Sequence, residues 1–214
     1  MLILFAGEKG GSGKSTLAVQ IGIERVRQGH AAIIIDGDPQ ATARNWINRR
    51  TIEPQVSCIE MRAQDFHKRI PELLDEYEDI IIDIAGRDSE EMRRALGFVD
   101  VVIFPVRPTM NDLETAEKMD ELVGSFLGVT NHLKKAFFVL SQASPNPFRS
   151  STNKDALGYL VECENITTSQ VVICSRSAYE KASIEGVAVS ELKPAAGKAK
   201  KELDQLYKEI FGNE

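Results

Sequence analysis

The sequence predicts an α/β fold, in which a mostly parallel, twisted sheet carries helices on both faces. Short apolar runs that are typical of strands alternate along the chain with longer segments of helical periodicity. Two of these runs, residues 31–35 and 80–82, are apolar at every position, as expected for strands buried on both faces. A glycine-rich loop separates the first run, residues 2–6, from the first helical pattern. The length of 214 residues suits one such unit, so we predict a single domain over residues 1–214.

The boundaries of the elements follow from residues that start or stop regular structure. Gly29 is a typical C-cap for the first helix, and Asp112 is expected to cap a long amphipathic helix. Pro71 lacks the N–H that an interior helical turn needs, so it should interrupt or restart its helix. Residues 187–192 form either a last strand or an extended segment. The remaining predicted strands are 2–6, 31–35, 56–61, 80–83, 101–106, 136–140 and 171–174, and the predicted helices are 15–28, one around Trp46, 64–77, 89–98, 112–127, 155–161, 179–184 and 195–211.

Composition and charge are those of an ordinary soluble globular protein. Apolar residues make up 43% of the chain and charged residues 27%. The net charge of −6 argues against a globally basic nucleic-acid binder but is compatible with a local basic patch. No apolar run approaches the length of a membrane span, and the apolar start lacks the basic region of a signal peptide. The three cysteines lack metal-type spacing, so we expect reduced thiols in a cytoplasmic protein.

The glycine-rich loop has the context that a phosphate-binding loop requires, after a strand and before a helix. Its glycines allow successive backbone N–H groups to point at one anion, and the following helix N-terminus adds partial positive charge. Lys14 can reach the β- and γ-phosphates, and the Ser15 hydroxyl can ligate Mg²⁺. The loop differs from the general pattern G-x-x-x-x-G-K-[ST], because Glu8 stands at the first glycine position and a second lysine, Lys9, follows it.

Acidic residues end two of the predicted central strands. Asp83 follows a buried strand, where a carboxylate can hold Mg²⁺ through a water. Asp36 and Asp38 follow another strand and are separated by one residue. We expect Asp38 to orient the attacking water, with Asp36 as the alternative and with one of the two serving as a helix cap.

The base of the nucleotide is predicted to be adenine. Ras-type GTPases bind guanine with an Asn-Lys-x-Asp motif, and Asn153-Lys154-Asp155 has the wrong spacing for it. ATP is therefore favoured over GTP, with Mg²⁺ as its metal ion.

Several motifs, taken together, resemble those of the ParA/MinD family of P-loop ATPases, and the chain looks most similar to small, ParF-like ParA proteins. The resemblance extends over nearly the whole chain and predicts the P-loop NTPase fold. It rests on Lys9 to Ser15, similar to the deviant Walker A motif K-G-G-x-G-K-[ST]; Asp36 to Gln40, similar to D-x-D-P-Q; Ile80 to Gly86, similar to Walker B; Pro105 to Asp112, similar to P-x-x-P-[ST]-x-x-D; and Arg176 to Leu192, similar to a C-terminal R-x-x-[YF] stretch.

This resemblance implies roles for individual residues. Lys9 would reach across an ATP-sandwiched homodimer to the partner's phosphates, and with Lys14 and Asp38 it would form the catalytic set. Mg²⁺ would be held by Ser15, Asp83 and Asp38, partly through water. Further ATP contacts are implied at Gly10, Gly11, Ser12, Gly13, Thr16, Pro105, Gly186 and Val187.

The function implied by the resemblance is ATP-dependent DNA segregation by a weak, nucleoid-associated ATPase. An ATP dimer would bind non-specific DNA, and a small centromere-binding protein of the ParB type would stimulate hydrolysis. Candidate DNA-contacting residues are Arg149, Lys154, Arg176 and Lys181.

Two other functions compete with DNA segregation. A MinD-like or cargo-positioning ATPase would act on a membrane or a protein assembly; the apolar side of helix 195–211 is expected to pack on the sheet, so stable membrane association is not expected. The other is a metabolic or redox relative: its redox form would need cluster-ligating cysteines, and Cys58, Cys163 and Cys174 lack suitable positions. A small biosynthetic ligase is compatible with the site chemistry, but the D-x-D-P-Q segment argues against it.

Overall fold

Seven parallel strands form one sheet in the computed structural model of the chain, which describes residues 1–86, 89–127, 129, 132–146, 148, 150–193 and 196–212. The spatial order is β3-β2-β4-β1-β5-β6-β7, and every adjacent pair is parallel. The strands are β1 (Leu2–Phe5), β2 (Ala32–Asp36), β3 (Ser57–Glu60), β4 (Asp79–Asp83), β5 (Val101–Val106), β6 (Lys135–Ala143) and β7 (Thr167–Cys174).

Helices cover both faces of the sheet, as the alternating pattern predicted. One face packs against α3, α4, α5 and α6, which contribute to one buried apolar cluster. The other face packs against α1, α2, α7 and α8, which contribute to a second. The helices are α1 (Lys14–Arg27), α2 (Thr42–Asn48), α3 (Phe66–Leu74), α4 (Ser89–Leu96), α5 (Met110–Phe126), α6 (Ser150–Val161), α7 (Ser177–Glu185) and α8 (Gly197–Phe211), with a short 3₁₀ turn at Ala63–Asp65.

Three local expectations differ from the structure. Helix α3 continues through Pro71, because the buried stripe of Phe66, Ile70 and Leu73 holds it on the sheet despite the missing donor. Asp112 is not the cap of α5: the helix begins at Met110 after Thr109, and Asp112 lies in its first turn. Helix α6 begins at Ser150, so residues 150–153, which were expected to form a loop, are helical.

The segment over residues 187–192 is extended and turning, and it is not a strand. Several of its backbone groups are satisfied by side chains and therefore need no neighbouring strand. The amide of Gln20 donates to the carbonyl of Val187 at 3.4 Å and accepts from the N–H of Val189 at 2.7 Å. The Glu191 carboxylate accepts from the N–H of Ala188 at 2.8 Å.

The strand order brings the carboxyl ends of the central strands together. Phe5 at the end of β1 is in register with Asp83, and Asp83 is in register with Asp36 on the next strand. Strands β2, β3 and β4 lie on one side of β1, and β5, β6 and β7 lie on the other. The carboxyl end of β1 is therefore the topological switch point, where ligands bind in such sheets. None of the described helices combines the length and the apolar character that crossing a membrane requires.

Candidate nucleotide-binding site

The phosphate loop curls between β1 and α1 around its own lysine. Gly11 and Gly13 have φ values of 75° and 100°, which favour glycine. A Cβ atom at Gly13 would lie 2.9 Å from the Ser141 hydroxyl, so the loop also needs glycine there for space. The Lys14 ammonium donates to the Lys9 carbonyl at 2.8 Å, which places its charge inside the curl.

Lys14 is buried, and its surroundings control its protonation. Burial lowers the pKa of the ammonium, while the charges of Asp83 and Asp38 oppose that shift and the charge of Arg107 adds to it. A lysine inside a ring of loop carbonyls and amides, with acids beside it, is the arrangement expected for binding phosphate.

Asp83 is the least satisfied buried acid of the site. It is 0% exposed, and neither carboxylate oxygen accepts a hydrogen bond of normal geometry from any described residue. The pKa of Asp83 is raised to about 7, mainly by burial and also by the Asp36 charge, while the nearby Ser15 hydroxyl and the Lys14 charge act in the opposite direction. A buried, unpaired carboxylate beside a serine hydroxyl fits a hard divalent cation such as Mg²⁺. The residues present therefore match the metal that the sequence predicted.

The two acids after β2 have different environments, which the sequence had left open. Both oxygens of buried Asp36 are occupied: one accepts from the N–H of Asp38 at 3.1 Å and the other from the N–H of Arg44, in the first turn of α2, at 2.8 Å. Asp38 is half-buried, lines the cleft above the phosphate loop, and accepts from the N–H of Gln40 at 2.9 Å. Asp36 is therefore the structural acid, and Asp38 is the one available to a ligand.

A cleft of about 590 Å³ lies above the loop, and a second cavity of about 590 Å³ adjoins it. Trp46, Ile173 and Tyr179 give the second cavity an apolar wall that suits a base. The two cavities share Gly13, Thr16, Thr42 and Gln142. The cleft itself is lined by Gly10, Gly11, Gly13, Lys14, Ser15, Thr16, Asp38, Pro39, Gln40, Thr42, Ala85, Gly86 and Gln142.

Some predicted ATP contacts lie outside both cavities. Ser12 is buried, and together with Lys9 and Pro105 it lines a small cavity of about 20 Å³ under the loop. Gly186 packs on the end of α2, where a Cβ atom would lie 2.4 Å from the backbone of Arg49. The Val187 carbonyl accepts from the Trp46 indole at 3.2 Å, so this segment supports the wall of the second cavity from behind.

Three residues have a place at the site that sequence reasoning missed or left uncertain. Gln142 has a φ of 51° and donates a hydrogen bond from its amide to the Gly11 carbonyl. A Cβ atom at Gly86 would lie 2.8 Å from the Lys14 ammonium, so this glycine lets the chain after β4 close over the lysine. Arg107 approaches Gly11 from the end of β5. The P-x-x-P segment was the available signal for Arg107, but spacing alone does not show which side chain turns to the loop.

The candidate DNA-contacting residues are dispersed over separate elements. Lys154 is exposed on α6, and Lys181 is exposed on α7 with its ammonium 3.8 Å from Glu185. Arg176 precedes α7 and is ion-paired with Glu202 of α8, so its charge is largely compensated. Arg149 lies outside the described residues.

Comparisons with known proteins agree with this geometry. The family model described as the CobQ/CobB/MinD/ParA nucleotide binding domain matches residues 3–189. The chain is 24% identical to the maintenance of carboxysome distribution protein A of Halothiobacillus neapolitanus over 96% of its own length and 94% of that protein. Among solved structures, apo McdA of Cyanothece superposes with a TM-score of 0.79 at 17% identity, covering 99% of both chains. MinD of Pyrococcus horikoshii in complex with Mg-ADP superposes with a TM-score of 0.75 at 16% identity, covering 98% and 95%. The chain therefore belongs to the CobQ/CobB/MinD/ParA family of nucleotide-binding domains and is an ATPase of the ParA/MinD type.

Proposed function

We propose that the chain is an Mg²⁺-dependent molecular switch for DNA segregation. Its ATP-bound homodimer binds non-specific DNA, and a small centromere-binding partner of the ParB type stimulates hydrolysis and release. The observation that carries this proposal is the contrast between the two loop lysines. Lys14 is buried and satisfied within its own loop, whereas Lys9 is exposed and its ammonium has no acceptor among the described residues. A cation left free beside a phosphate site is available to a nucleotide held by a second copy.

The residues of the cleft divide the work of phosphoryl transfer between them. Lys14 and the loop amides bind the β- and γ-phosphates, and the Ser15 hydroxyl and Asp83 hold the metal ion. When bound, Mg²⁺ neutralises charge on the phosphates. Asp38 orients the attacking water from the open side of the cleft. Thr16 and the apolar wall around Trp46 and Tyr179 receive the ribose and adenine, while Pro105, Gly186 and Val187 act as supports for the site.

Hydrolysis and DNA binding measured together test this function. The ATPase rate is measured with and without random duplex DNA, and with and without the product of an adjacent small gene. We expect a slow basal rate that rises when both are present, and DNA binding that needs Mg-ATP and weakens steeply with salt. Failure to bind DNA with ATP at low salt would overturn the DNA-segregation function, although the ATPase activity itself would stand.

A second candidate is the positioning of a protein assembly, and one observation favours it. The full-length relative named above carries a name that refers to carboxysome distribution, and the match covers almost all of both chains. Deleting the gene separates the two candidates. Loss of the replicon that carries the gene, without clustering of protein assemblies, supports segregation; clustering with normal replicon inheritance supports positioning. ATP-dependent flotation with liposomes would instead indicate a membrane-acting switch.

A further inference from the structure

Arg107 is held in a fixed orientation at the end of β5. Its Nε and Nη2 atoms donate to the two oxygens of Asp112 at 3.0 and 3.2 Å. Asp112 is buried, and the Thr109 hydroxyl donates to the same carboxylate. Bidentate pairing with a buried, immobilised acid removes most of the rotational freedom of an arginine.

The third nitrogen of this guanidinium, Nη1, is directed at the phosphate loop. It makes no hydrogen bond with any residue that the structure describes, and it would lie 3.8 Å from a Cβ atom built on Gly11. Its charge is also felt inside the loop, since Arg107 helps to lower the pKa of the Lys14 ammonium. The arginine therefore places an unused donor and a positive charge beside the group that binds phosphate.

A purely structural role would not account for this arrangement. Asp112 is already bonded by two guanidinium nitrogens and one hydroxyl, so its burial does not require Nη1. The Arg107 side chain remains 34% exposed, whereas the Asp112 side chain is 3% exposed. The acid thus anchors the arginine, and the free end of the arginine remains accessible at the loop.

We propose that Arg107 is a further catalytic residue, whose Nη1 group contacts the terminal phosphate of the bound ATP and stabilises the charge that develops during hydrolysis. This inference rests on the proposed ATP hydrolysis at the loop. In that reaction the γ-phosphorus gains an oxygen from water and loses the bridging oxygen to ADP, which keeps the electron pair, and the released proton passes to solvent. A fixed cation near the transferring group lowers the barrier of this step.

The test compares three variants at Arg107 with a matched control. Arg107→Ala removes the positive charge, and Arg107→Lys keeps the charge but lacks the planar guanidinium group. The double variant, Arg107→Ala with Asp112→Asn, also removes the charge of the buried acid that Arg107→Ala leaves unpaired. The control is Arg69→Ala, which also removes an arginine from an ion pair, here the exposed pair with Glu72 on α3 at 3.2 Å. For each protein we measure kcat at saturating Mg-ATP and the Kd values of ADP and a non-hydrolysable ATP analogue.

We expect both alanine-containing variants to lose on the order of 100-fold in kcat, the loss typical of removing one transition-state donor. The Kd of the ATP analogue should rise by about tenfold while that of ADP stays within about twofold, because the arginine meets a phosphate that ADP lacks. Arg107→Lys should recover part of kcat, and Arg69→Ala should behave as wild type.

Two results would overturn the role of Arg107: equal weakening of ADP and the ATP analogue, or a double variant that restores wild-type kcat. Either would make it a structural partner of Asp112. If wild-type protein neither binds nor hydrolyses ATP, the proposed function itself fails. If the wild type hydrolyses ATP and the Arg107 variants hydrolyse it at the same rate, only the inference about Arg107 is contradicted.

Discussion

At the scale of single residues, the site distinguishes groups that bind a ligand from groups that build the fold. Asp36 and Asp38 are two residues apart, yet both oxygens of the first are used by backbone amides and the second faces the cleft. Asp79 and Asp83 lie at opposite ends of β4 and differ in the same way. Asp79 is paired with Arg25 at 2.6 Å, whereas Asp83 has no hydrogen-bond partner among the described residues.

Asp38→Ala should slow ATP hydrolysis by about 100-fold or more, because a positioned acid or base contributes about that factor. ATP affinity should change little, since the phosphates are bound by Lys14 and the loop. Single-turnover hydrolysis and equilibrium ATP binding measure the two effects. The contrasting variant is Asp36→Ala, which should cost about 1–3 kcal/mol of stability by leaving two amides unpaired. Normal hydrolysis by Asp38→Ala would transfer the water-orienting role to another group.

Asp83→Asn should stabilise the nucleotide-free protein and abolish its stabilisation by Mg-ATP. The substitution replaces a buried, unpaired carboxylate with a neutral amide, and each kcal/mol recovered raises Tm by about 3 °C for a chain of this size. Thermal melts at pH 8, with and without Mg-ATP, measure both effects. Asp79→Asn is the matched control on the same strand: it breaks a buried ion pair and should lower Tm. A lower Tm for Asp83→Asn would show that its carboxylate has a stabilising partner.

At the scale of elements, the segment after α7 is attached to the end of α2 by a buried ion pair. Glu191 lies 2.8 Å from Arg50, whose side chain is 0% exposed at the end of α2. Burial alone would raise the pKa of Glu191, but hydrogen bonds from Arg50 and the Ala188 amide, with the charges of Arg50 and Arg27, hold it below its usual value. The pair therefore fixes the segment that supports the wall of the second cavity.

Glu191→Gln should lower the free energy of unfolding at pH 7 by about 1.5–3 kcal/mol, the value of hydrogen bonds to a charged group. A carboxyl whose folded-state pKa is depressed stabilises the fold above its unfolded-state pKa, and this contribution is lost as the pH falls through the folded-state pKa. The difference between the two proteins should therefore be full above about pH 4.5 and shrink in more acidic solution. Urea titrations at several pH values measure it. A difference independent of pH would indicate lost packing.

At the scale of the whole molecule, Lys9 links one copy of the chain to another in the proposed switch. Lys9→Ala should reduce hydrolysis far more than ATP binding, because the lysine acts on the partner's nucleotide. Light scattering with Mg-ATP should show a dimer for the wild type and less dimer for the variant. Lys134→Ala serves as a control, because Lys134 pairs with Asp100 at 2.8 Å beside the amino end of β6. A variant that hydrolyses ATP normally as a monomer would contradict a role in trans.

Much of the fold could be predicted because its signals are local. Continuous apolar runs identified β2 and β4 as buried strands, and the alternation of strands and helices predicted the parallel sheet that the structure has. The family predicted from the motifs taken together is confirmed by the family match over residues 3–189. The segment at 187–192 could not be classified, because the side chains of Gln20 and Trp46 that satisfy it are distant in sequence. The same holds for Arg107, since only the folded chain brings Gly11 beside it. The roles of Lys9 and Asp38 stay predictions.

All strands of the parallel sheet have their amino ends along one edge, the amino edge, and their carboxyl ends along the opposite one, the carboxyl edge. This separation has a practical consequence for labelling experiments. Glu76 is exposed in the turn between α3 and β4, at the amino edge, whereas Lys14 and Asp83 lie at the carboxyl edge. The five residues of β4 separate the two edges by about 16 Å. Cys58, Cys163 and Cys174 are free thiols and must be replaced before a single cysteine at position 76 is labelled. A fluorophore attached there follows the diffusion and turnover of individual molecules without touching the nucleotide.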